Sequence, residues 1–314
     1  MGTGGLATLL QIHSVRVPGF SPAAVVMLVA GWALLVGLGA GFARSVARDP
    51  DMWTSSVRDA AMLPLWGMVS MGLLAVGSAT FIVVEAHAPM LSWIAFGVDV
   101  ALWAAGTVLG LATAVGFAVW LFATRPDHPL PTWALPMVPP MVSATAGGVI
   151  ARQFESDVAR VLLSAACVFC FVLALGGAVI VMAYHHAWFR APVPVELSTS
   201  TWIPLGIVGQ STAAAQVLSG PALAGVARAY GATVLVAGAG LGAFAVLTTA
   251  RGFLARMPFT PGWWAMTYPL ATCGLGAHYL GWHAASLLTV AVLIAIWVVC
   301  AVASVRAIAS ARAA

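Results

Sequence analysis

Phe259-Thr-Pro-Gly-Trp-Trp-Ala-Met-Thr-Tyr268-Pro-Leu-Ala-Thr-Cys-Gly-Leu-Gly-Ala-His278 is a stretch of membrane-spanning length with a proline in its interior. Trp263 and Trp264 stand at its start, where amphipathic indole rings favour the lipid headgroup level. Pro269 lies near its middle and removes a backbone donor. Such a break is tolerated at membrane depth only where neighbouring protein or a water-filled cavity satisfies the freed carbonyl. The stretch therefore reads as a helix packed inside a bundle and walling a pathway, with Tyr268 immediately before the break.

The rest of the chain fits that environment. Its 314 residues are 62% hydrophobic and 7% charged, with a mean hydropathy of +1.01. A soluble domain carries about 25% charged residues, so this is a polytopic membrane protein. All thirteen basic residues are Arg, and the net charge of +4 is too small and too scattered to suggest nucleic acid as a partner. Cys167, Cys170, Cys273 and Cys300 all fall in apolar runs and read as free thiols.

Crossing about 30 Å of hydrocarbon takes about 20 residues. Nine runs qualify, at about 21–43, 60–84, 92–123, 131–150, 159–184, 200–219, 222–250, 259–280 and 284–309. Residues 1–12 form a shorter first segment that opens abruptly on Met1-Gly-Thr-Gly-Gly5. A start placed too far downstream and a re-entrant segment both account for this. The expectation is a single transmembrane domain over residues 1–314, with ten spans and an N-terminally truncated first helix.

Loops rich in basic residues stay cytoplasmic. Connections after even-numbered spans, with the C-terminus, hold nine Arg (44, 48, 58, 125, 190, 251, 256, 306 and 312), and those after odd-numbered spans hold four (16, 152, 160 and 228). Both termini are therefore expected in the cytoplasm. Interior prolines mark the odd spans: Pro64, then Pro136, Pro139 and Pro140, then Pro204, then Pro269. Pro139 to Pro204 and Pro204 to Pro269 are each 65 residues, about one two-helix hairpin. The expected fold is all-α, a repeated hairpin whose broken odd helix faces inward and whose smooth even helix faces lipid.

Motifs that imitate soluble sites lose to packing here. Gly238-Ala-Gly240-Leu-Gly242 lacks the strand-turn-helix setting and downstream acid of a dinucleotide fingerprint, and small residues at such spacing let membrane helices approach. Cys167-Val-Phe-Cys170 lacks a redox fold around it. His185 and His186, beside Tyr184, suit an interfacial belt. With no paired acids, no nucleophile beside a base and no metal-spaced cluster in the spans, neither an enzyme nor a cofactor or metal is expected. Asp99 is the one acid well inside an apolar run; proton coupling and a position near the outer interface both remain open for it.

The odd spans hold Thr3, Ser70, Ser143, Thr145, Gln210, Ser211, Thr212, Gln216, Thr267 and Thr272, all uncharged. A pathway lined by hydroxyls and amides suits weak binding and quick release of an ion. The competing reading is that each Ser or Thr bonds its own helix backbone.

Four stretches resemble a known family. Met1-Gly-Thr-Gly4 is similar to its first-helix glycine motif, and Trp133-Ala-Leu-Pro136-Met-Val-Pro139-Pro140 to its fifth-helix proline cluster. Trp202-Ile-Pro204-Leu-Gly206-Ile-Val-Gly209-Gln210-Ser211 resembles its seventh-helix signature, and Gly262-Trp263-Trp264-Ala-Met-Thr267-Tyr268-Pro269 its ninth. The family is the tellurite-resistance/dicarboxylate transporters, which include plant slow anion channels, bacterial homologues, fungal malate permeases and sulfite exporters. The resemblance implies five helical hairpins around a central pore, odd helices inner and even helices outer, assembled as a homotrimer in the cell's inner or plasma membrane. It also implies a pore gate at Tyr268, where the family carries Phe. The expected function is a channel or facilitative transporter for small inorganic or carboxylate anions. The alternative is a proton-coupled C4-dicarboxylate or sulfite transporter using Asp99 or a histidine.

Overall fold

Every regular element is helical across the described residues 1–59, 62–124, 129–154 and 158–313 of the computed structural model. Arg125 and Ala314 lie outside the described residues, as do the side chains of Arg160, Cys167, Cys170 and Arg312. The α-helices are α1 (Gly2–His13), α2 (Phe20–Arg48), α3 (Asp51–Arg58), α4 (Trp66–His87), α5 (Ser92–Thr124) and α6 (Val138–Ala151). They continue with α7 (Val158–Phe189), α8 (Ile203–Leu218), α9 (Ala224–Leu254), α10 (Thr267–Tyr279) and α11 (His283–Ala313). Among the described residues six helical stretches are long and apolar enough to cross a membrane: Phe20–Arg48, Leu63–His87, Pro89–Thr124, Pro131–Ala151, Pro221–Leu254 and His283–Ser310.

The prolines mark a change of winding. Pro64 lies in the 3₁₀ turn Leu63–Leu65 ahead of α4. The 3₁₀ segments Pro131–Met137, Val195–Trp202 and Pro261–Met266 lead directly into α6, α8 and α10. Pro139 and Pro140, Pro204, and Pro269 then occupy the first α-turns. A first-turn N–H has no acceptor within the α-helix, so proline costs little there and its fixed φ favours the helical start. Pro269 is thus central to the 261–279 segment and yet at the beginning of its α portion.

Burial divides the helices along another line, since the 3₁₀ turns Pro89–Leu91 and Pro221–Leu223 lead into the exposed α5 and α9. In their most apolar windows, 94% of Pro131–Ala151 and 67% of Leu63–His87 is buried, against 17% of Phe20–Arg48, 28% of Pro89–Thr124, 22% of Pro221–Leu254 and 17% of His283–Ser310. The four less buried stretches expose Val29, Leu38, Val108, Val236 and Val302. Apolar faces of this length suit contact with lipid or with another apolar surface.

The chain divides into two compact units. The first comprises Met1, residues 3–127 and residues 135–172; the second comprises Gly2, residues 128–134 and residues 173–314. In the first, α4 packs along α5, and α6 and α2 pack against that pair. Hydrogen bonds fasten it: Ser70 Oγ donates to the Gly106 carbonyl at 2.6 Å, Trp103 Nε1 to the Ser143 carbonyl at 2.9 Å, and Trp32 Nε1 to Thr80 Oγ1 at 2.9 Å. The glycine-rich start of α1 is helical, and a Cβ on Gly4 would stand 2.9 Å from the Ala75 backbone. α3 was not expected; its Trp53 meets Trp66 and Phe42 edge-on or tilted, and Trp66 Nε1 donates to the Ser56 carbonyl at 3.2 Å.

In the second unit α8 packs on α10 more extensively than on any other helix, with α9 behind α8 and α11 behind α10. Gln216 Nε2 donates to the Ala227 carbonyl at 2.6 Å and Ser286 Oγ to the Gly274 carbonyl at 2.7 Å, tying each inner helix to its neighbour.

Candidate functional site

The α8–α10 crossing collects most of the polar residues expected on a pathway. Two glycines bring the helices together. A Cβ on Gly209 would overlap the Thr272–Cys273 peptide, and one on Gly276 would stand 2.7 Å from the Gly209 carbonyl and 3.1 Å from Thr212. Around this seam Gln210, Ser211, Thr212, Thr267, Tyr268 and Thr272 are all buried, none more than 5% exposed. No Arg, Lys, Asp or Glu stands in α6, α8 or α10.

Most of these hydroxyls donate along their own helix. Ser211 and Thr212 donate to the Val208 carbonyl at 3.1 and 2.9 Å, Thr267 to Trp264 at 2.8 Å, and Thr272 to Pro269 at 2.8 Å. Each oxygen keeps acceptor lone pairs, and its O–H can turn to another acceptor by giving up one such bond. Cys273 Sγ donates to the Leu205 carbonyl at 3.5 Å and is a free thiol.

In the first unit the expected residues separate by neighbour. Ser70 is fully buried with its hydroxyl engaged by α5, so it fastens a helix pair. Thr3 is buried on α1. Ser143 is 4% exposed on α6, and its Oγ has no hydrogen-bond partner although its carbonyl accepts from Trp103. Asp99 is 2% exposed and its Oδ1 also lacks a partner. It packs opposite Gly77 of α4, where a Cβ would stand 2.8 Å from that oxygen.

One hydroxyl run escaped the sequence reading. Ser198, Thr199, Ser200 and Thr201, in the 3₁₀ lead to α8, are all buried, and Thr199 Oγ1 donates to the Gly262 carbonyl in the lead to α10 at 3.1 Å. The expected span began near residue 200, which cut this run in two. Pro192 and Pro194 just upstream were the available signal for an earlier start. Among the described residues no group of three or more His, Cys, Asp or Glu converges as a metal site would require.

Comparison with known proteins agrees with a transport fold. A family profile described as a voltage-dependent anion channel, SLAC1, matches residues 1–308. A sulfite efflux pump SSU1 of Trichophyton rubrum is 25% identical over 308 residues, covering 90% of this chain and 79% of the relative. The pump of the same name from Arthroderma otae is 26% identical over 307 residues, with the same coverage.

Proposed function

Because the chain belongs to the SLAC1 voltage-dependent anion channel family, we propose that it is a channel or facilitative transporter passing small inorganic or carboxylate anions down their electrochemical gradient. The observation that carries this reading is the buried, uncharged polar set on α8 and α10, Gln210, Ser211, Thr267 and Thr272, with no fixed charge in either helix. A fixed cation would hold an anion too long for fast passage; hydroxyls and amides offer donors with weak grip. Within the first unit, Ser143, with its unpartnered Oγ, Thr3 and Ser70 are proposed as lining residues in their own right. Tyr268 is the gate of this pathway, its ring excluding water from a narrow place and so raising an ion's desolvation cost. The proposal includes ten spans arranged as five hairpins in one transmembrane domain, both termini in the cytoplasm of the cell membrane, and a homotrimer with one pathway per subunit.

A second reading is a proton-coupled carrier of sulfite or a C4-dicarboxylate, and similarity to sulfite efflux pumps favours it. Purified protein in liposomes separates the two. Anion efflux that proceeds equally with and without a pH gradient is the expected result, and efflux that collapses when the gradient is dissipated would establish the carrier instead.

A further inference from the structure

A buried carboxyl with an unsatisfied oxygen calls for an explanation, since buried polar groups in folded proteins are nearly always paired. Asp99 stands in the α4–α5 interface of the first unit with Oδ1 unpartnered, in a notch left by the missing side chain of Gly77. The charged or titratable groups on elements packed against α5 are Glu85 and His87 of α4, with Arg152 just past α6. Glu85 and Arg152 are exposed. His87 is engaged by the Val83 carbonyl at 2.9 Å and Ser21 Oγ at 2.8 Å. None supplies a partner to Oδ1. Binding a proton neutralises such a carboxyl, and a neutral carboxyl costs far less to bury unpaired than a carboxylate. Asp99 lies seven residues into α5, about 10 Å along its axis from Ser92, within reach of one membrane face.

We propose that Asp99 and the Gly77 notch form a proton-binding site whose charge sets how readily an anion passes about one helix width away. The inference rests on the anion-passage reading and adds a ligand to it. A helix with its side chains is about 10 Å across. A unit negative charge at about that distance, in a medium of effective dielectric about 20, disfavours an anion roughly tenfold, and less where water fills the path. Protonation removes the charge and the anion's penalty together. The proton stays in the protein, so this site differs from one that carries protons across.

The test has two readouts on full-length protein in liposomes: chloride flux as the pH is changed on each side in turn, and infrared difference spectra for the carbonyl stretch of a protonated carboxyl. Parent flux should rise between about threefold and tenfold as the face nearer Ser92 is acidified. Asp99→Asn should stay at the high, acid-side level at all pH and lose the carboxyl band, while Asp99→Glu should keep both. If Asp99→Asn retains the parent's pH response, or assembles normally and stays at the low level, the valve is overturned. If the carboxyl band survives in Asp99→Asn, Asp99 is not the proton site. The spectra do not depend on transport, so an absence of flux in the parent would sink the anion reading while leaving the proton site to be judged by its band.

Discussion

Tyr268 is the second residue of α10, one position before Pro269, and is 5% exposed. Its depth and its place in the Thr267-Tyr268-Pro269 run were legible in the sequence, because proline's effect on its own turn is local. What the ring does is decided by truncating it. As a plug, its loss removes part of an ion's desolvation barrier, and each 1.4 kcal/mol or so is about tenfold in rate. Tyr268→Ala should therefore raise anion flux by about an order of magnitude, with Tyr268→Phe shifting it less. As packing alone, the same truncation leaves a cavity costing about 3–5 kcal/mol and lowers flux along with stability. Measuring thermal unfolding beside flux distinguishes these: a variant that folds, assembles and conducts no better than the parent ends the gating idea.

At the scale of elements, the seam between α8 and α10 is the most demanding contact in the second unit. Gly209 faces backbone, which cannot swing aside as a side-chain tip can. Overpacking a tight interior costs about 1–3 kcal/mol, and against backbone the upper end is expected. Gly209→Ala should lower the unfolding temperature in detergent and expose Cys273 to thiol reagents at temperatures where the parent is protected. Gly240→Ala, on α9 with nothing near its Cβ position, should leave both unchanged or gain slightly from helix propensity. The interior prolines made the 3₁₀-to-α changes ahead of α4, α6, α8 and α10 legible, since such leads are written locally, but Pro89 and Pro221 open similar turns ahead of the exposed α5 and α9. The seam was not legible: Gly206, Gly209 and Gly274 look alike in sequence, and only the crossing decides which meets a neighbouring backbone. The same limit applies to Ser70, whose partner, the Gly106 carbonyl, belongs to a different helix. Asp99 stood out by chemistry alone, but the Gly77 notch beside it belongs to a different helix.

For the whole molecule, orientation follows from charge where burial does not decide it. Arg44, Arg48, Arg58, Arg190, Arg251 and Arg256 are exposed at helix ends or connections that the ten-span topology assigns to the cytoplasm. Arg crossing the bilayer is costly, about 2.5–3.5 kcal/mol per residue at a helix centre, so the side with more Arg is the side that is never translocated. The count favours one orientation by more than two to one over the full sequence. The turn at Ala88, between α4 and α5, carries no Arg and joins a buried helix to an exposed one. Compartment-sensitive reporters fused after Ala314 and inserted at Ala88 should therefore report opposite sides, the first cytoplasmic and the second external. Both reporters on one side would mean that an even number of crossings separates the two positions, and the ten-span topology would fail. A reversed pair would keep the span count and overturn the orientation, moving Asp99 and its proposed proton source to the cytoplasmic face.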